Sequence, residues 1–306
     1  MSQLYNLQKK IRKISVWVKL MILLLLIYLL NMWVNKHTNI EGFTSQQKKF
    51  ELKKDDIFDD FYVDIYDKLV YNDYKNEFEV GQIVKNTKPN ENSRMLDVGS
   101  GTGHHVNLFT AKGFDCIGVD KSSAMIKKSQ ELYPSSKFKK GDVMSSMLFD
   151  SESFTHITCF YFTLYYMKDK RTFFSNCYRW LKPGGKMIIH LVNKNKFDPI
   201  VPSGNPVNMV SVQKYAKERI TSSIVKFNSF RYKAQFDLNG DVGIFKEMIK
   251  FDKDGKMRVN EHHLYMDSQS NIITSLKETG FILLGKISLH PTTYDYQYLY
   301  ILQKPE

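Results

Sequence analysis

The stretch Met95-Leu96-Asp97-Val98-Gly99-Ser100-Gly101-Thr102-Gly103-His104-His105 decides the fold. It reads as a buried strand that runs into a glycine turn and then into a helix. Glycine is needed where φ is positive or where backbone must come close to a ligand. A helix N-terminus beyond such a turn attracts negative charge. Working outward, the sequence predicts strand Arg94–Val98, helix His104–Lys112, strand Asp115–Val119 and helix Ser123–Tyr133. Strands Lys137–Lys139 and Thr155–Phe160, helix Asp169–Leu181 and strand Lys186–Leu191 follow. Such alternation specifies an α/β, doubly wound parallel sheet with helices on both faces. Ligands of such sheets bind beyond the carboxyl ends of the strands.

The second strand, Ile117-Gly118-Val119-Asp120, ends in a carboxylate about 20 residues past the turn, where dinucleotide folds hold a ribose diol. Those folds also carry G-x-G-x-x-G, and here the position three after Gly101 is His104, so that fingerprint fails. The run Asp97–Gly103 instead closely resembles motif I of the class I S-adenosylmethionine (SAM) methyltransferases. Val119-Asp120-Lys121-Ser122 resembles the acidic motif that follows it. Lys140-Gly141-Asp142-Val143 resembles the motif beside the adenine, and Leu181-Lys182-Pro183-Gly184-Gly185 the turn into strand five. The resemblance covers roughly Asp64–Val192 and resumes near Ile272–Gln303.

The resemblance implies SAM as cofactor. Gly99, Gly101 and Gly103 would let the backbone approach it, and Asp120 would accept from the ribose hydroxyls. Asp142 and the Val143 amide would face the adenine, and Asp97 would orient the methionine end. The strand-four exit, Phe160-Tyr161-Phe162-Thr163-Leu164-Tyr165-Tyr166, would form an aromatic wall that favours the sulfonium and excludes water. Phe160 is therefore expected at the cofactor. Tyr161, in that wall, and His190, at the end of strand five, are the catalytic candidates.

Between Asn193 and Asp267 the pattern changes. A Pro/Gly loop precedes a helix expected over Val210–Ile220. Strand-like runs follow at Ser223–Phe230, Tyr232–Asn239, Asp241–Phe251 and Lys256–Met266. Asp252-Lys253-Asp254-Gly255 is a hairpin turn. This predicts an inserted antiparallel β cap, about residues 193–267, that covers the pocket and supplies Glu247, Glu261 and His263 as polar candidates. His262 and His263 alternate across a strand, so they do not share a metal ion, and no metal is expected. A helix at Asn271–Thr279 and an antiparallel pair, Phe281–Leu289 and Tyr296–Leu302, close the sheet.

Toward the N-terminus, a basic tail (1–13) precedes an apolar stretch (14–35) long enough to span a bilayer, with Trp17 and Trp33 at its two interfaces. No small-residue cleavage site follows it, which separates it from a signal peptide. The expectation is a single-pass transmembrane helix, a polar tether (36–54) and a methyltransferase domain (55–306) that opens with a helix near Asp55–Tyr62 over the cofactor mouth. Residues 1–54 carry ten Lys/Arg against two acidic residues, and the remainder 34 against 30. The +12 net charge is thus concentrated beside the apolar stretch, and the catalytic part has no basic track for nucleic acid. Three cysteines without metal spacing read as buried small hydrophobes. No [DN]-P-P-[YFW], Pro-Cys nucleophile or paired-Glu loop points to nucleic-acid or arginine methylation. The expected acceptor is a small or lipid-like molecule. A non-catalytic membrane or virion scaffold and a protein or nucleic-acid methyltransferase are the alternatives.

Overall fold

The structure, a computed structural model, describes residues 15–37, 50–199, 218–253 and 255–306. It divides into two units, residues 1–47 and 48–306. In the first, α1 (Val16–His37) is a single 22-residue helix. Its described apolar side chains, Trp17, Val18 and Leu20–Leu29, are each 45–78% exposed. Among the described residues no helix is long and apolar enough to cross a membrane. The described run Leu20–Leu29 spans about 15 Å, half a hydrocarbon core. The transmembrane helix expected over 14–35 is therefore present as a helix and not shown as a span. The basic tail and the helix expected at Val210–Ile220 lie outside the described residues, the latter except for its last three.

The second unit begins with β1 (Phe50–Lys53), α2 (Asp60–Val70) and α3 (Asp73–Thr87). The tether expected through Lys54 thus contains a strand. Its Phe50–Lys53 backbone pairs in parallel with β10 (Met257–Tyr265) and covers an otherwise open sheet edge. The helix expected from Asp55 starts later. Asp59 is its N-cap, accepting from the Tyr62 amide at 3.1 Å, and both Asp59 oxygens receive Arg258 Nη1 at 2.9 Å. That capped, ion-paired position leaves residues 55–59 outside the helix.

The core then runs β2 (Arg94–Val98), α4 (His104–Ala111), β3 (Asp115–Asp120), α5 (Ser123–Leu132), β4 (Lys137–Lys140), β5 (Phe154–Cys159), α6 (Lys170–Trp180) and β6 (Leu181–Val192). After the insertion come α7 (Gln269–Thr279), β11 (Ile282–Ser288) and β12 (Gln297–Gln303). The sheet order is β11-β12-β6-β5-β2-β3-β4, parallel through β4, β3, β2, β5 and β6 and antiparallel at β12 and β11. β6 starts at Leu181, earlier than Lys186, because the proline–glycine turn is absorbed as a register irregularity against Phe154 and His156. Strand alternation splits the core. Met95, Cys116 and Ile188 face Val80, Ile83 and Phe109 of α3 and α4. Leu96, Met187 and Ile189 face Phe173, Trp180 and Leu276 of α6 and α7. Cys116, Cys159 and Cys177 are buried free thiols.

The insertion contributes β7 (Ser222–Lys226), β8 (Phe230–Asn239), β9 (Val242–Phe251) and β10. Their order, β1-β10-β9-β8-β7, is antiparallel except at β1, so the cap is a mixed five-stranded sheet. Phe230, Tyr232, Ala234 and Ile249 on its inner face pack against Tyr62, Ile65 and Leu69 of α2. That packing closes a cavity between the two sheets.

Candidate active site

The cavity has a volume of about 1400 Å³, larger than the roughly 300–1000 Å³ of a pocket for one small ligand. The carboxyl ends of β2, β3 and β5 form its floor, and the inner face of the inserted sheet forms its roof.

At the floor the glycine turn and Asp120 are one hydrogen-bonded unit. The Gly99 and Ser100 amides donate to the Val119 carbonyl at 2.8 and 3.0 Å. Asp120 accepts from the Gly101 amide at 3.0 Å and the Ser122 amide at 2.8 Å, one on each oxygen. Burial raises the Asp120 pKa, opposed by those amides. Each oxygen keeps a lone pair for a ligand hydroxyl. Gly99 has φ +65°, and a Cβ there would lie 2.3 Å from Thr163 Cγ2. Gly101 has φ +53° and lines the cavity, where a Cβ would meet only the Tyr66 ring, at 3.7 Å and beyond. Asp142 and Val143 also line the cavity. Asp142 accepts from the Met144 amide at 3.0 Å, and the Val143 carbonyl accepts from Asn176 Nδ2 at 2.9 Å.

A second, small cavity of about 50 Å³ lies beside the turn, lined by Asp97, Asn76, Ser100, His105 and Phe160 among others. Asp97 accepts from Thr158 Oγ1 at 2.7 Å, and burial pushes its carboxyl up to about 7. Asn76 Oδ1 and Ser100 Oγ are buried there without a partner among the described residues. Nearby, Lys75 Nζ meets Glu79 Oε1 at 2.7 Å and His105 Nε2 meets Glu79 Oε2 at 2.9 Å. Burial opposes the Glu79 charge, and Lys75 and His105 hold it down to about 2. This buried triad was not foreseen. The i,i+4 spacing of Lys75 and Glu79 is visible in the sequence, but not that both are fully buried.

The structure bears on four of the expected site residues. Gly103 does not line the large cavity. It caps α4 at φ +90°, where a Cβ would lie 2.6 Å from the Phe138 ring, so its task is packing. Phe160 is absent from the lining of the large cavity but lines the small one beside the glycine turn, where its ring stacks on His105 with centroids 3.9 Å apart. His190 lines neither cavity. It is fully buried on β6, its Nδ1 lies 2.9 Å from the Tyr161 carbonyl, and burial pulls its pKa down to about 4. A neutral core imidazole without access to the cavity is not a general base. Tyr161 does line both cavities, at φ +48°, but its hydroxyl donates to the Val70 carbonyl at 2.9 Å and Lys75 Nζ sits 3.7 Å above its ring. It is a wall residue.

The roof holds the groups that sequence reasoning mostly missed. Glu247 is buried, with Tyr62 and Tyr232 donating to Oε1 at 2.8 and 2.6 Å. Asn260 Nδ2 and His262 Nε2 reach Oε2 at 3.1 and 2.7 Å. Burial opposes its charge, but His262 and the two phenols hold its pKa below the usual carboxylate value. His262 Nδ1 meets the Tyr166 hydroxyl at 2.8 Å. Phe58 packs edge-on against Tyr62, Tyr66, Tyr166 and His262, with ring centroids 5.6–6.2 Å apart. His263 pairs with Glu261 at 3.1 Å on a largely exposed side chain.

Residues 96–189 match a family described as a methyltransferase domain. Over these residues, about a third of its length, the chain carries a methyltransferase domain. Over 114 residues it is 36% identical to a dTDP-4-amino-2,3,4,6-tetradeoxy-D-glucose N,N-dimethyltransferase of Saccharopolyspora spinosa, covering 36% of this chain and 45% of that protein. Over 120 residues it is 25% identical to a phosphoethanolamine N-methyltransferase of Plasmodium falciparum, covering 35% and 42%. The chain thus spans about half the length of the curated relatives it matches. Among solved structures, a sugar N-methyltransferase from Streptoalloteichus superposes with a TM-score of 0.62 at 15% identity, covering 86% of this chain and 99% of that one. A SAM-dependent methyltransferase from Clostridium acetobutylicum gives 0.61 at 18%, covering 80% and 98%. These structures share the fold of the methyltransferase domain.

The residues present fit SAM. Gly101 lines the cavity facing the Tyr66 ring, and Asp120 offers lone pairs at the same place. The partnerless Asn76 Oδ1 and Ser100 Oγ suit a polar amino-acid tail.

Proposed function

We propose that this protein transfers the methyl group of SAM to an amine nitrogen of a small polar molecule held between the glycine turn and the inserted sheet. The observation that carries this reading is the single cavity that joins the two. Its lining supports an amine: eight carboxylates stand against four lysines. An aromatic cluster centred on Phe58 attracts a cation by its ring faces. Two of the relatives above carry an amine in their names.

When bound, SAM supplies a sulfonium already reactive toward a nucleophile. The chain's own contribution is to align the acceptor and exclude water. Asp120 would hold the ribose, Asp142 and Val143 the adenine edge, and Asp97, Asn76 and Ser100 the amino-acid tail. Incubating the full chain with methyl-tritiated SAM and dTDP-4-amino-2,3,4,6-tetradeoxy-D-glucose, phosphoethanolamine or glycine tests the reading. Label in an amine product supports it. Label only in extracted lipid or in nuclease-sensitive material overturns it.

We further propose that residues 14–35 anchor the protein in a membrane, supported by the uncharged run Leu20–Asn35 and its flanking basic residues. The full chain should then resist carbonate extraction, and release by carbonate would contradict the anchor.

A further inference from the structure

The roof network has a direction. An ionised Glu247 only accepts hydrogen bonds, and four donors converge on it. The His262 nitrogen facing it, Nε2, therefore carries the ring proton. In a neutral imidazole Nδ1 is then the acceptor, so the Tyr166 hydroxyl donates to it at 2.8 Å. Tyr166 lines the cavity and is 39% exposed, and its oxygen keeps lone pairs for a donor on that side. The three groups form a chain from cavity to buried carboxylate, with the hydroxyl–imidazole–carboxylate logic of a catalytic triad.

We infer that Tyr166, His262 and Glu247 form a proton relay that takes a proton from the acceptor's ammonium group before methyl transfer. This rests on the amine reading above. The need is quantitative: an alkylammonium group with a pKa near ~10 is neutral in only about one molecule in a thousand at pH 7. In the step, an N–H bond of the ammonium breaks and its proton goes to the Tyr166 oxygen. The Tyr166 proton moves to His262 Nδ1, and the imidazolium rests against ionised Glu247. The freed nitrogen lone pair forms the N–CH₃ bond while the donor's S–CH₃ bond breaks and its electron pair stays on sulfur. The relay returns its proton to water between turnovers. Tyr166 is the catalytic residue, and His262 and Glu247 act through it.

The titratable groups around His262 are Tyr62 and Tyr66 from α2, Tyr166 from the turn after β5, Tyr232 from β8 and Glu247 from β9. Within this cluster Glu247 is the carboxylate and His262 the imidazole.

The test compares wild type with Tyr166→Phe, His262→Gln and Glu247→Gln, in the full chain, with SAM and the three amines named above as probes. The quantity compared is kcat as a function of pH. In Tyr166→Phe and His262→Gln it should fall about 100-fold at pH 7, the scale of lost general-base assistance. It should recover toward pH 10, while the dissociation constant for SAM and the melting temperature stay as in wild type. An amine methylated with an unchanged kcat and pH profile in Tyr166→Phe overturns the relay and leaves the amine reading standing. SAM binding without methylation of any probe overturns both. A readout independent of turnover is ¹⁵N-histidine NMR of the chain in detergent micelles. His262 should be the Nε2–H tautomer, with that preference weakened in Glu247→Gln. An Nδ1–H tautomer overturns the relay whatever the acceptor.

Discussion

At the floor of the cavity the glycine turn and Asp120 form one hydrogen-bonded unit, all within a few residues of the turn and the next strand end. At the roof the groups are three phenols, an imidazole and Glu247, drawn from five elements between Tyr62 and His262. The floor is local, because a tight turn and the carboxylate at the next strand end lie about 20 residues apart in sequence and bond directly. The roof is assembled by tertiary packing. Tyr62 and Glu247 are 185 positions apart, and the bond between them exists only because α2 packs on the inserted sheet. Cofactor binding should therefore survive changes at the roof, and acceptor chemistry should be lost with them.

The largest expected effect lies under the floor. Glu79→Leu leaves Lys75 buried without its counter-charge and should destabilise the fold by about 3–5 kcal/mol. Thermal unfolding would show it, and an unchanged melting temperature would mean that the triad does not support the floor.

Next comes Asp97, whose carboxyl is raised from 3.8 to about 7 in the folded chain. Between those values the unfolded chain has lost the proton and the folded chain keeps it. Unfolding then releases a proton, so this group's stabilisation is full below about pH 4 and is lost as pH rises through 7. The slope is at most about 1.4 kcal/mol per pH unit. Subtracting the Asp97→Asn denaturation curves from wild type should leave that downward slope between pH 4 and 7. A flat difference would place the Asp97 carboxyl near its ordinary value.

A smaller effect separates the floor's binding role from its structural one. Asp120→Asn should weaken SAM binding by about 1.5–3 kcal/mol through lost charge-assisted bonds, read by calorimetry, with wild-type affinity counting against the ribose assignment.

The smallest contrast is between two glycines. Gly103→Ala should lower the melting temperature, since its Cβ meets Phe138, and leave the affinity of the folded protein nearly intact. Gly101→Ala should chiefly weaken SAM binding. Each costs of order 1–2 kcal/mol from the left-handed backbone alone. Reversed outcomes would exchange the roles of the two positions.

The legibility of the sequence follows the same division. Strands Arg94–Val98 and Asp115–Asp120 and the turn between them were readable because their signals are contiguous: an apolar run, glycines at positive φ, a terminal carboxylate. The insertion's strands were readable from alternation and the hairpin turn, but β1 was not. Four residues of mixed polarity look like a linker until β10 offers an edge. His190 is misplaced because strand-end position does not reveal which way a side chain faces or how deeply it is buried. Glu247 was singled out as a polar candidate. Tyr166 is legible only as part of the aromatic wall, and Tyr62, Tyr232 and His262 are not legible as partners of Glu247, since nothing local links a phenol on a helix to a carboxylate on a distant strand.

The central claim is that floor and roof serve one reaction. Mass spectrometry of the three probe amines after incubation with SAM and the full chain tests it most directly. The account predicts an amine gaining one methylene unit for each S-adenosylhomocysteine formed, and a product greatly reduced in both Asp120→Asn and Tyr166→Phe. A chain that binds SAM yet methylates no amine, or a product unaffected by Tyr166→Phe, would contradict it.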